Sequence, residues 1–298
     1  METSFCFRVD IDTWEGLNKG LPKCVNLSKK YLFPFSYYLS LGHYATGRNI
    51  FRIIANKESL IGKIPIWKRN NWKDLFRGLI LPPKKIRGNI LDKLHEYEKD
   101  DFSEFHSHGY DHVRWVNKFS KFNENQTSNF LDLIISDFKR IFGKHPESNA
   151  APNFVVNPFY LTSLKSKQFK FSSDFIYHAP FLLTYNKEDK TSFNSIVQLP
   201  VTETTIETLL IQGKTKMEIV EFYKKRFEEL INNNVTYVCM YVHAVFEPMK
   251  LQSLIESIFE LVITKDMTPI GHLEYYRKTT DYLKIDINNI LTGRLKDE

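Results

Sequence analysis

Residues 105–112 read Phe-His-Ser-His-Gly-Tyr-Asp-His, and within them His108 and His112 are four positions apart. In a helical turn, residues i and i+4 lie on one face, so this spacing predicts two imidazoles that can hold one divalent ion. A pair of ordinary surface or core histidines is the alternative that the spacing alone leaves open. His106 is interpreted as a supporting or structural residue, because it would face the opposite side of a short turn.

A second polar cluster follows the first apolar run, where residues 8–14 read Arg-Val-Asp-Ile-Asp-Thr-Trp. Residues i and i+2 face the same side of a strand, so the carboxylates of Asp10 and Asp12 can point at one ion and its water. One carboxylate with two imidazoles is a common ligand set for an open catalytic metal site. We therefore expect Asp12, His108 and His112 to bind a divalent ion and Asp10 to accept a proton from water.

The order of predicted elements indicates an α/β protein with a barrel-like sheet. The predicted strands are residues 4–10, 34–41, 102–106, 169–174, 195–201, 235–242 and 269–270, and the predicted helices are 22–31, 89–99, 122–142, 214–232 and 251–263. The candidate polar residues lie at or just after strand ends or in connectors. In α/β barrels the active site forms at the carboxyl ends of the strands, so one barrel with its site at that end is the simplest interpretation.

His243 ends the clearest buried strand and is the candidate acid of the site. Hydrolysis of an unactivated amide needs a generated nucleophile and a protonated leaving nitrogen, which a metal, Asp10 and His243 could supply together. A hydrogen-bonded core histidine is the alternative for His243 alone. Other catalytic templates fit worse, because the sequence has no Glu in an HExxH pattern, no GxSxG elbow and no P-loop.

The composition is that of a globular protein, since 42% of the 298 residues are hydrophobic and 26% are charged. The three cysteines are sparse and include no Cys-x-x-Cys pair, which favours a reducing compartment over a disulfide framework. No export signal and no run of about 18 uncharged apolar residues is visible, so we expect neither secretion nor a membrane span. Residues 1–280 are expected to form one domain, and 281–298 a peripheral tail.

Positive charge is concentrated in an insertion predicted at residues 48–90. Between residues 57 and 87, nine Lys or Arg residues occur with only two acidic ones, mixed with large apolar side chains. Two interpretations have equal weight: a helical insertion packed on the core, or an interfacial element that meets anionic lipid. Nucleic-acid binding is the weaker alternative, because no recognition motif accompanies the charge. The interfacial interpretation predicts membrane contacts by Trp67, Lys68, Arg69, Trp72, Lys73 and Arg77.

The series of motifs resembles the polysaccharide deacetylase (NodB-homology) superfamily. Within it, the chain is most similar to the formamido-arabinose-phosphoundecaprenol deformylases and the related lipid-linked N-acetylgalactosamine deacetylases. The matching stretches keep the order of the family over nearly the whole chain, at residues 7–16, 41–48, 106–112 with Trp115, 150–154, 172–174, 198–202 and 242–244.

The resemblance implies a distorted (β/α) barrel of fewer than eight full units and one divalent ion, with zinc first and cobalt, manganese or iron as alternatives. It implies deacylation of an amino sugar on undecaprenyl phosphate at the cytoplasmic face of the inner membrane, in lipid A modification and resistance to cationic peptides. It assigns the base to Asp10, the metal to Asp12, His108 and His112, and the acid to His243. Substrate contacts or supporting roles are expected for Trp14, Tyr110, Pro152, Phe154, Asp174 and Glu247.

The chain departs from the family pattern at three places. Many superfamily members carry an arginine in the third motif that orients the base, whereas this chain has Ala150, so another group must perform that task. Tyr110 replaces a tryptophan, and Val245 and Phe246 precede Glu247 after the late histidine. The acyl group and the sugar therefore stay open. A deacetylase of soluble oligosaccharide or peptidoglycan and a non-catalytic lipid-binding relative are the alternative functions.

Overall fold

Strand β1 (Ser4–Ile11) is the strand around which the sheet is built, and all its residues from Phe5 onwards are buried. In the computed structural model, which describes residues 2–45, 47, 73, 76–77, 79–184, 196–287 and 290, this strand pairs with three others. Its odd-numbered residues join the apolar layer beneath the helices, whereas Cys6, Arg8 and Asp10 face the interior. Because side chains alternate along a strand, one face of β1 packs against the helices and the other carries the polar residues inside the barrel.

The strands that follow β1 in the chain are β2 (Phe35–Leu39), β3 (Ser103–Ser107), β4 (Ser148–Asn149), β5 (Phe171–Ser172), β6 (Phe181–Thr184), β7 (Ile196–Gln198), β8 (Tyr237–His243), β9 (Thr268–Pro269) and β10 (Leu283–Asp286). They form one sheet in the order β10-β6-β7-β5-β4-β3-β2-β1-β8, and β9 pairs with the beginning of β1. All described pairs are parallel except β6 with β7.

The sheet curls so that the segment after β7 reaches β8. The backbone amides of Thr202 and Glu203 both donate to the carbonyl oxygen of Cys239, at 3.1 and 3.2 Å, and the amide of Cys239 donates to Oγ1 of Thr202 at 2.9 Å. These hydrogen bonds, which lie outside the regular strand pairing, join the segment after β7 to β8. The result is a distorted barrel, which confirms the fold expected from the sequence.

Helices cover the outside of the parallel strands, and the longest of them has well-suited residues at both ends. The 19-residue helix α4 begins with a capping box of Asn123 and Gln126 and ends at Gly143, whose φ is +68°. The helices are α1 (Leu21–Tyr31), α2 (Asn89–Glu98), α3 (His112–Lys118), α4 (Glu124–Phe142), α5 (Pro158–Ser163), α6 (Ile206–Ile211), α7 (Lys216–Asn232), α8 (Glu247–Lys250), α9 (Gln252–Thr264) and α10 (His272–Lys278).

The end of the barrel opposite the strand carboxyl termini is closed by the start of α10. The carboxylate of Glu104 accepts hydrogen bonds from the backbone amides of Leu273 and Glu274, at 3.0 and 3.3 Å. His272 is fully buried, and its two ring nitrogens contact the hydroxyls of Tyr38 and Tyr237, at 2.8 and 3.2 Å. These polar groups are therefore paired inside this end of the barrel, whereas both ring nitrogens of the neighbouring buried His106 have no hydrogen-bond partner.

The sequence predictions of the long buried strands and long helices agree with the structure, but one detail differs. The tail predicted from residue 281 contributes β10, an edge strand that pairs with β6, rather than lying apart from the sheet. Most of the predicted insertion at 48–90 lies outside the described residues. Within the part of the chain that the structure describes, no helix combines the length and apolar character required to cross a bilayer.

Candidate active site

Asp10 and His243 meet at the carboxyl ends of adjacent strands, because β1 and β8 pair in register at these two residues. On the other side of β1, beyond β2, strand β3 carries His108 just after its last residue. Oδ2 of Asp10 lies 3.7 Å from Nε2 of His108. Both Asp10 and His108 are almost completely buried. The parallel register thus gathers three of the predicted site residues at one edge of the barrel.

His108 and His112 lie close together, but the backbone between them does not have the predicted helical conformation. His108 follows β3, Gly109 turns the chain with φ +67°, and His112 is the first residue of α3. The two histidines therefore do not share one helical turn, and that part of the prediction was wrong. The left-handed residue reverses the chain sharply enough to bring the ring centroids to 5.5 Å.

His108 is prepared to act as a ligand through one defined nitrogen. Its Nδ1 lies 3.0 Å from the carbonyl oxygen of Ala150, which can only accept, so Nδ1 carries the proton and Nε2 has a free lone pair. Burial is the main cause that lowers the pKa of His108 to about 4, so the imidazole is neutral at pH 7. A histidine tied by its second nitrogen to a carbonyl is the usual arrangement around bound metals.

Asp12 lies one residue beyond β1 and faces the second imidazole. Its Oδ2 is 3.7 Å from Nε2 of His112, and both side chains are partly exposed at the edge of the site. One carboxylate and two imidazoles, one of which has a fixed tautomer, suit zinc and similar divalent ions. The donor types of Asp12, His108 and His112 therefore fit the predicted metal site, whereas their ligand atoms do not all lie within 4.8 Å of one another, as those of Glu207, His243 and Glu247 do.

Asp10 is held by an arginine that the sequence analysis did not assign to the site. Nε and Nη2 of Arg8 donate to Oδ1 and Oδ2 of Asp10, at 2.7 and 2.8 Å. Nη1 of Arg8 donates to the carbonyl and the hydroxyl of Ser173, at 2.7 and 3.0 Å. Burial alone would raise the pKa of Asp10, but Arg8, with His108 and His243, lowers it to about 2.

His243 is surrounded by two carboxylates. The backbone amide of His243 donates to Oε2 of Glu247 at 2.9 Å, and Nδ1 of its ring lies 3.7 Å from Oε2 of Glu207. Ligand atoms of these three residues lie within 4.8 Å of one another, which is close enough for a cation. Glu247 was predicted as a substrate or supporting residue, and the structure places it behind His243, fully buried.

The connector at 150–154 forms one wall of the site, and Asp174 holds it from behind. Oδ1 of Asp174 accepts hydrogen bonds from the backbone amide of Ala151 and the hydroxyl of Tyr160, at 2.8 and 2.9 Å. Burial raises the pKa of Asp174 above its usual range. Asp174 is itself completely buried, which suits support of the connector rather than contact with a substrate.

Pro152 and Phe154, for which the sequence predicts substrate contacts or supporting roles, both lie in this connector. Pro152 is buried next to Gly109, where an added Cβ would meet its ring. Phe154 adopts φ +57°, an uncommon conformation for an aromatic residue, and its ring packs edge-on against Tyr241 at 5.7 Å. The guanidinium of Arg8 lies 5.5 and 5.6 Å from the centroids of these two rings, so they cover it.

Trp14 and Tyr110 lie near the opposite side of the site. Trp14 packs edge-on against Tyr44 with ring centroids 6.0 Å apart, and Nζ of Lys84 lies 5.8 Å from its ring. Tyr110 packs against Phe130, and its carbonyl accepts a hydrogen bond from the amide of Gly42. Both side chains are partly buried, which is compatible with their predicted contacts to a substrate.

Of the predicted membrane contacts, Trp67, Lys68, Arg69 and Trp72 lie outside the described residues. Lys73 is exposed, and Arg77 is partly exposed. The described end of the segment carries an apolar strip in which Ile80 is 78% exposed. Its members are Phe76, Leu79, Ile80 and Leu81, and we call them the apolar strip.

Sequence reasoning missed Arg8 and Glu207 for different reasons. Arg8 was visible, since it stands two positions before Asp10 and residues i and i+2 share a strand face. Glu207 belongs to the short helix α6 and comes near His243 only because the segment after β7 reaches β8. No local motif marks Glu207.

Comparison with known proteins gives a consistent result, although no protein-family model matches the chain. A protein of Shewanella sediminis named as the 4-deoxy-4-formamido-L-arabinose-phosphoundecaprenol deformylase ArnD is 22% identical over 259 residues, which cover 86% of this chain and 80% of that protein. The fold is similar to that of a Mycobacterium smegmatis protein named as a polysaccharide deacetylase, with a TM-score of 0.58, 14% identity and coverage of 93% and 90%. It is also similar to the chitin deacetylase of Colletotrichum lindemuthianum, with a TM-score of 0.50, 12% identity and coverage of 91% and 86%.

These comparisons support the predicted class of enzyme, a carbohydrate deacylase, at the level of the family. The distorted barrel and the similarity to ArnD both agree with the resemblance found in the sequence. The chain is therefore similar in sequence to a protein named as ArnD and similar in fold to proteins named as polysaccharide deacetylases.

Proposed function

We propose that this protein is a metal-dependent amide hydrolase that removes an N-formyl or N-acetyl group from an amino sugar carried on undecaprenyl phosphate. The observation that carries the proposal is the convergence of two carboxylate–imidazole pairs, Asp10 with His108 and Asp12 with His112, each at 3.7 Å. His243 is in register with Asp10 on the next strand. A base, a ligand set and an acid are therefore available at one end of the barrel.

Asp12, His108 and His112 are proposed as the residues that hold the divalent ion. When bound, such an ion supplies Lewis acidity, which activates water and polarises a carbonyl group. The hydrogen bond from His108 to the Ala150 carbonyl fixes the ring and directs its Nε2 into the site. The chain thus prepares at least one ligand before any ion arrives.

Asp10 and His243 are proposed to move the protons. As the oxygen of water bonds to the amide carbon, Asp10 accepts the proton that the water releases. When the carbon–nitrogen bond breaks, His243 donates a proton to the nitrogen, which leaves as an amine. The low pKa of Asp10 keeps this carboxylate ionised and ready to accept. A low pKa also makes it a weak base, so its effect depends on close positioning.

The lipid-linked class of substrate is supported by the ArnD-like sequence and by the surface next to the site. The apolar strip is followed by the exposed basic residues Lys84, Lys85 and Arg87. Lys84 also contacts Trp14, which stands two positions after Asp12, so this surface adjoins the site. Exposed apolar side chains beside basic ones are typical of an element that rests on anionic lipid. We propose that it docks the protein on the cytoplasmic face of the inner membrane.

Deacylation would expose a primary amine on the sugar, which is a cation at pH 7. If that sugar is transferred to lipid A, the outer surface becomes less negative, and cationic peptides bind it less strongly. We therefore propose a role in lipid A modification and in resistance to such peptides. A deletion strain with unchanged sensitivity to cationic peptides would contradict this role but would not bear on the proposed amide hydrolysis.

The deciding experiment offers N-formyl and N-acetyl amino sugars on undecaprenyl phosphate to the zinc-loaded protein and follows the lipids by mass spectrometry. We expect loss of 28 mass units for formyl or 42 for acetyl, which are about the masses of CO and C2H2O, through hydrolysis of the amide. Hydrolysis of soluble acetylated oligosaccharides in place of both lipids would indicate a soluble-substrate deacetylase. No hydrolysis of any of these substrates would support a non-catalytic lipid-binding relative.

A further inference from the structure

The environment of Asp10 differs from that of Asp12 in one decisive respect. Both oxygens of Asp10 accept hydrogen bonds from a single guanidinium, at 2.7 and 2.8 Å, whereas Asp12 lies beyond the strand and faces His112. Two carboxylates at adjacent same-side positions near two imidazoles could otherwise both become ligands of one ion.

Arg8 itself has no freedom to move. Its third nitrogen is fixed by the carbonyl and hydroxyl of Ser173, and its plane is covered by the rings of Tyr38, Phe154 and Tyr241, at 4.9, 5.5 and 5.6 Å. The side chain is 1% exposed. A planar fork that is held on every side imposes its orientation on the carboxylate it pairs with.

We propose that Arg8 is a positioning residue that divides the work between the two carboxylates: it keeps Asp10 off the metal ion and leaves the carboxylate position to Asp12. This inference rests on the proposed function. Arg8 would also perform the task of the arginine that Ala150 replaces, which is to orient the base. It does so from the same strand, two positions before Asp10. Without Arg8, the freed oxygen of Asp10 that lies 3.7 Å from His108 would coordinate the ion.

The test compares cobalt binding and catalysis in the wild type, Arg8→Met, Asp10→Asn and the double variant Arg8→Met/Asp10→Asn. Cobalt is used because its visible absorption reports the number and kind of its ligands. For Arg8→Met we expect a changed absorption spectrum, at least tenfold tighter cobalt binding and at least a 100-fold lower kcat, with KM changed less than threefold. The double variant is expected to regain the spectrum and affinity of the wild type, because it has no carboxylate at position 10.

Arg140→Met is the matched control, because it removes an arginine that pairs with Asp137 on the outside of α4. It should leave the spectrum, the cobalt affinity and kcat unchanged. If Arg8→Met does not yield folded protein, Arg8→Lys replaces it, since a single ammonium leaves one oxygen of Asp10 released. It should show the same spectral change with a smaller loss of kcat.

The inference is overturned if folded Arg8→Met keeps the spectrum and cobalt affinity of the wild type, or if the double variant still differs from it. A purely structural role of Arg8 would weaken cobalt binding and activity together, which also contradicts the inference. A wild type that binds cobalt but hydrolyses none of the offered amides contradicts the proposed function alone. Cobalt binding is measured without substrate, so the two failures are distinguishable.

Discussion

At the scale of single residues, neighbouring groups give two similar carboxylates different chemistry. Asp10 is buried, paired with Arg8 and ionised down to a pH of about 2, whereas Asp12 is partly exposed next to His112. This difference predicts different consequences when each side chain is changed to the amide of nearly the same shape.

Asp10→Asn is expected to lower kcat by about 100-fold or more, the size of a general-base contribution, without loss of bound zinc. Asp12→Asn is expected to lower both the zinc content and kcat, because it removes the charge of a proposed ligand. Zinc content per chain by elemental analysis, together with kcat on the lipid-linked amide, separates the two. Equal zinc loss in both variants would contradict the assigned roles.

Because His272 is neutral and fully buried, we expect the stability of the folded protein to depend on pH. Burial is the main cause that lowers its pKa to about 3, whereas a histidine in the unfolded chain titrates near about 6.5. The unfolded chain therefore binds the proton first, so stability is complete above about pH 6.5 and falls as the pH decreases towards about 3. The loss is on the order of 1.4 kcal/mol for each pH unit in this window.

Urea unfolding at pH 7.5, 6 and 5 checks this expectation. His272→Gln should be less stable than the wild type at pH 7.5, because the contacts with Tyr38 and Tyr237 are disturbed. Its stability should nevertheless decline less steeply towards pH 5, because one buried histidine has been removed. Parallel pH profiles for the two proteins would exclude His272 as a source of acid sensitivity.

At the scale of elements, the turn Gly16–Gly20 links the region after Asp12 to the residue after His243. A Cβ on Gly20 would overlap the backbone of Ala244, and one on Gly16 would press against Val245. The absence of two side chains therefore allows the turn to lie directly on the segment that carries the proposed acid. Packing of backbone against backbone fixes the distance between the two halves of the site.

Gly20→Ala is expected to lower both the melting temperature and, by at least tenfold, kcat, because it displaces Ala244 and with it His243. Gly143→Ala at the end of α4 is the control: an added Cβ meets nothing within 4 Å, but φ is +68°. It should cost about 1 kcal/mol of stability and leave kcat unchanged. Thermal unfolding and steady-state rates of both variants decide the matter. Normal activity in folded Gly20→Ala would show that the turn does not position His243.

Elements with a strong local signal could be predicted from the sequence, and those without one could not. Residues 237–242 form an unbroken apolar run, and 122–142 carry a full amphipathic period, so β8 and α4 were evident. Strands β6 and β10 were not predicted. Each spans only four residues, which is too short for a clear sequence pattern, and they pair with each other only in the folded protein. The site followed from the strand-end rule, whereas the Arg8 pairing and the approach of Glu207 required the folded barrel.

At the scale of the whole molecule, the apolar strip and the basic residues after it form one surface next to the site. Replacing Lys85 and Arg87 by Gln is expected to weaken binding to vesicles that contain anionic lipid by about 2 kcal/mol, or roughly 30-fold, since each basic residue near such a surface contributes about 1 kcal/mol. Hydrolysis of a short water-soluble analogue should not change. Flotation with vesicles at two salt concentrations measures the binding.

Replacing Lys224 and Lys225 by Gln is the matched control, because both are exposed on α7 and the change in charge is the same. This variant should bind vesicles as the wild type does. If both double variants lose binding equally, the attraction comes from net charge rather than from the surface beside the site.

The pairing of β1 with β8 and β9 also has a consequence for synthesis of the protein. The partners of β1 on these sides are separated from it by more than 200 residues, since Asp10 pairs with His243 and Ser4 with Thr268. A ribosome must translate most of the chain before the first strand can be completed, and contacts of such long range form slowly. Until then an apolar strand is exposed to aggregation or held by a chaperone, and Asp10 lacks the neighbouring His243 with which it forms the candidate site.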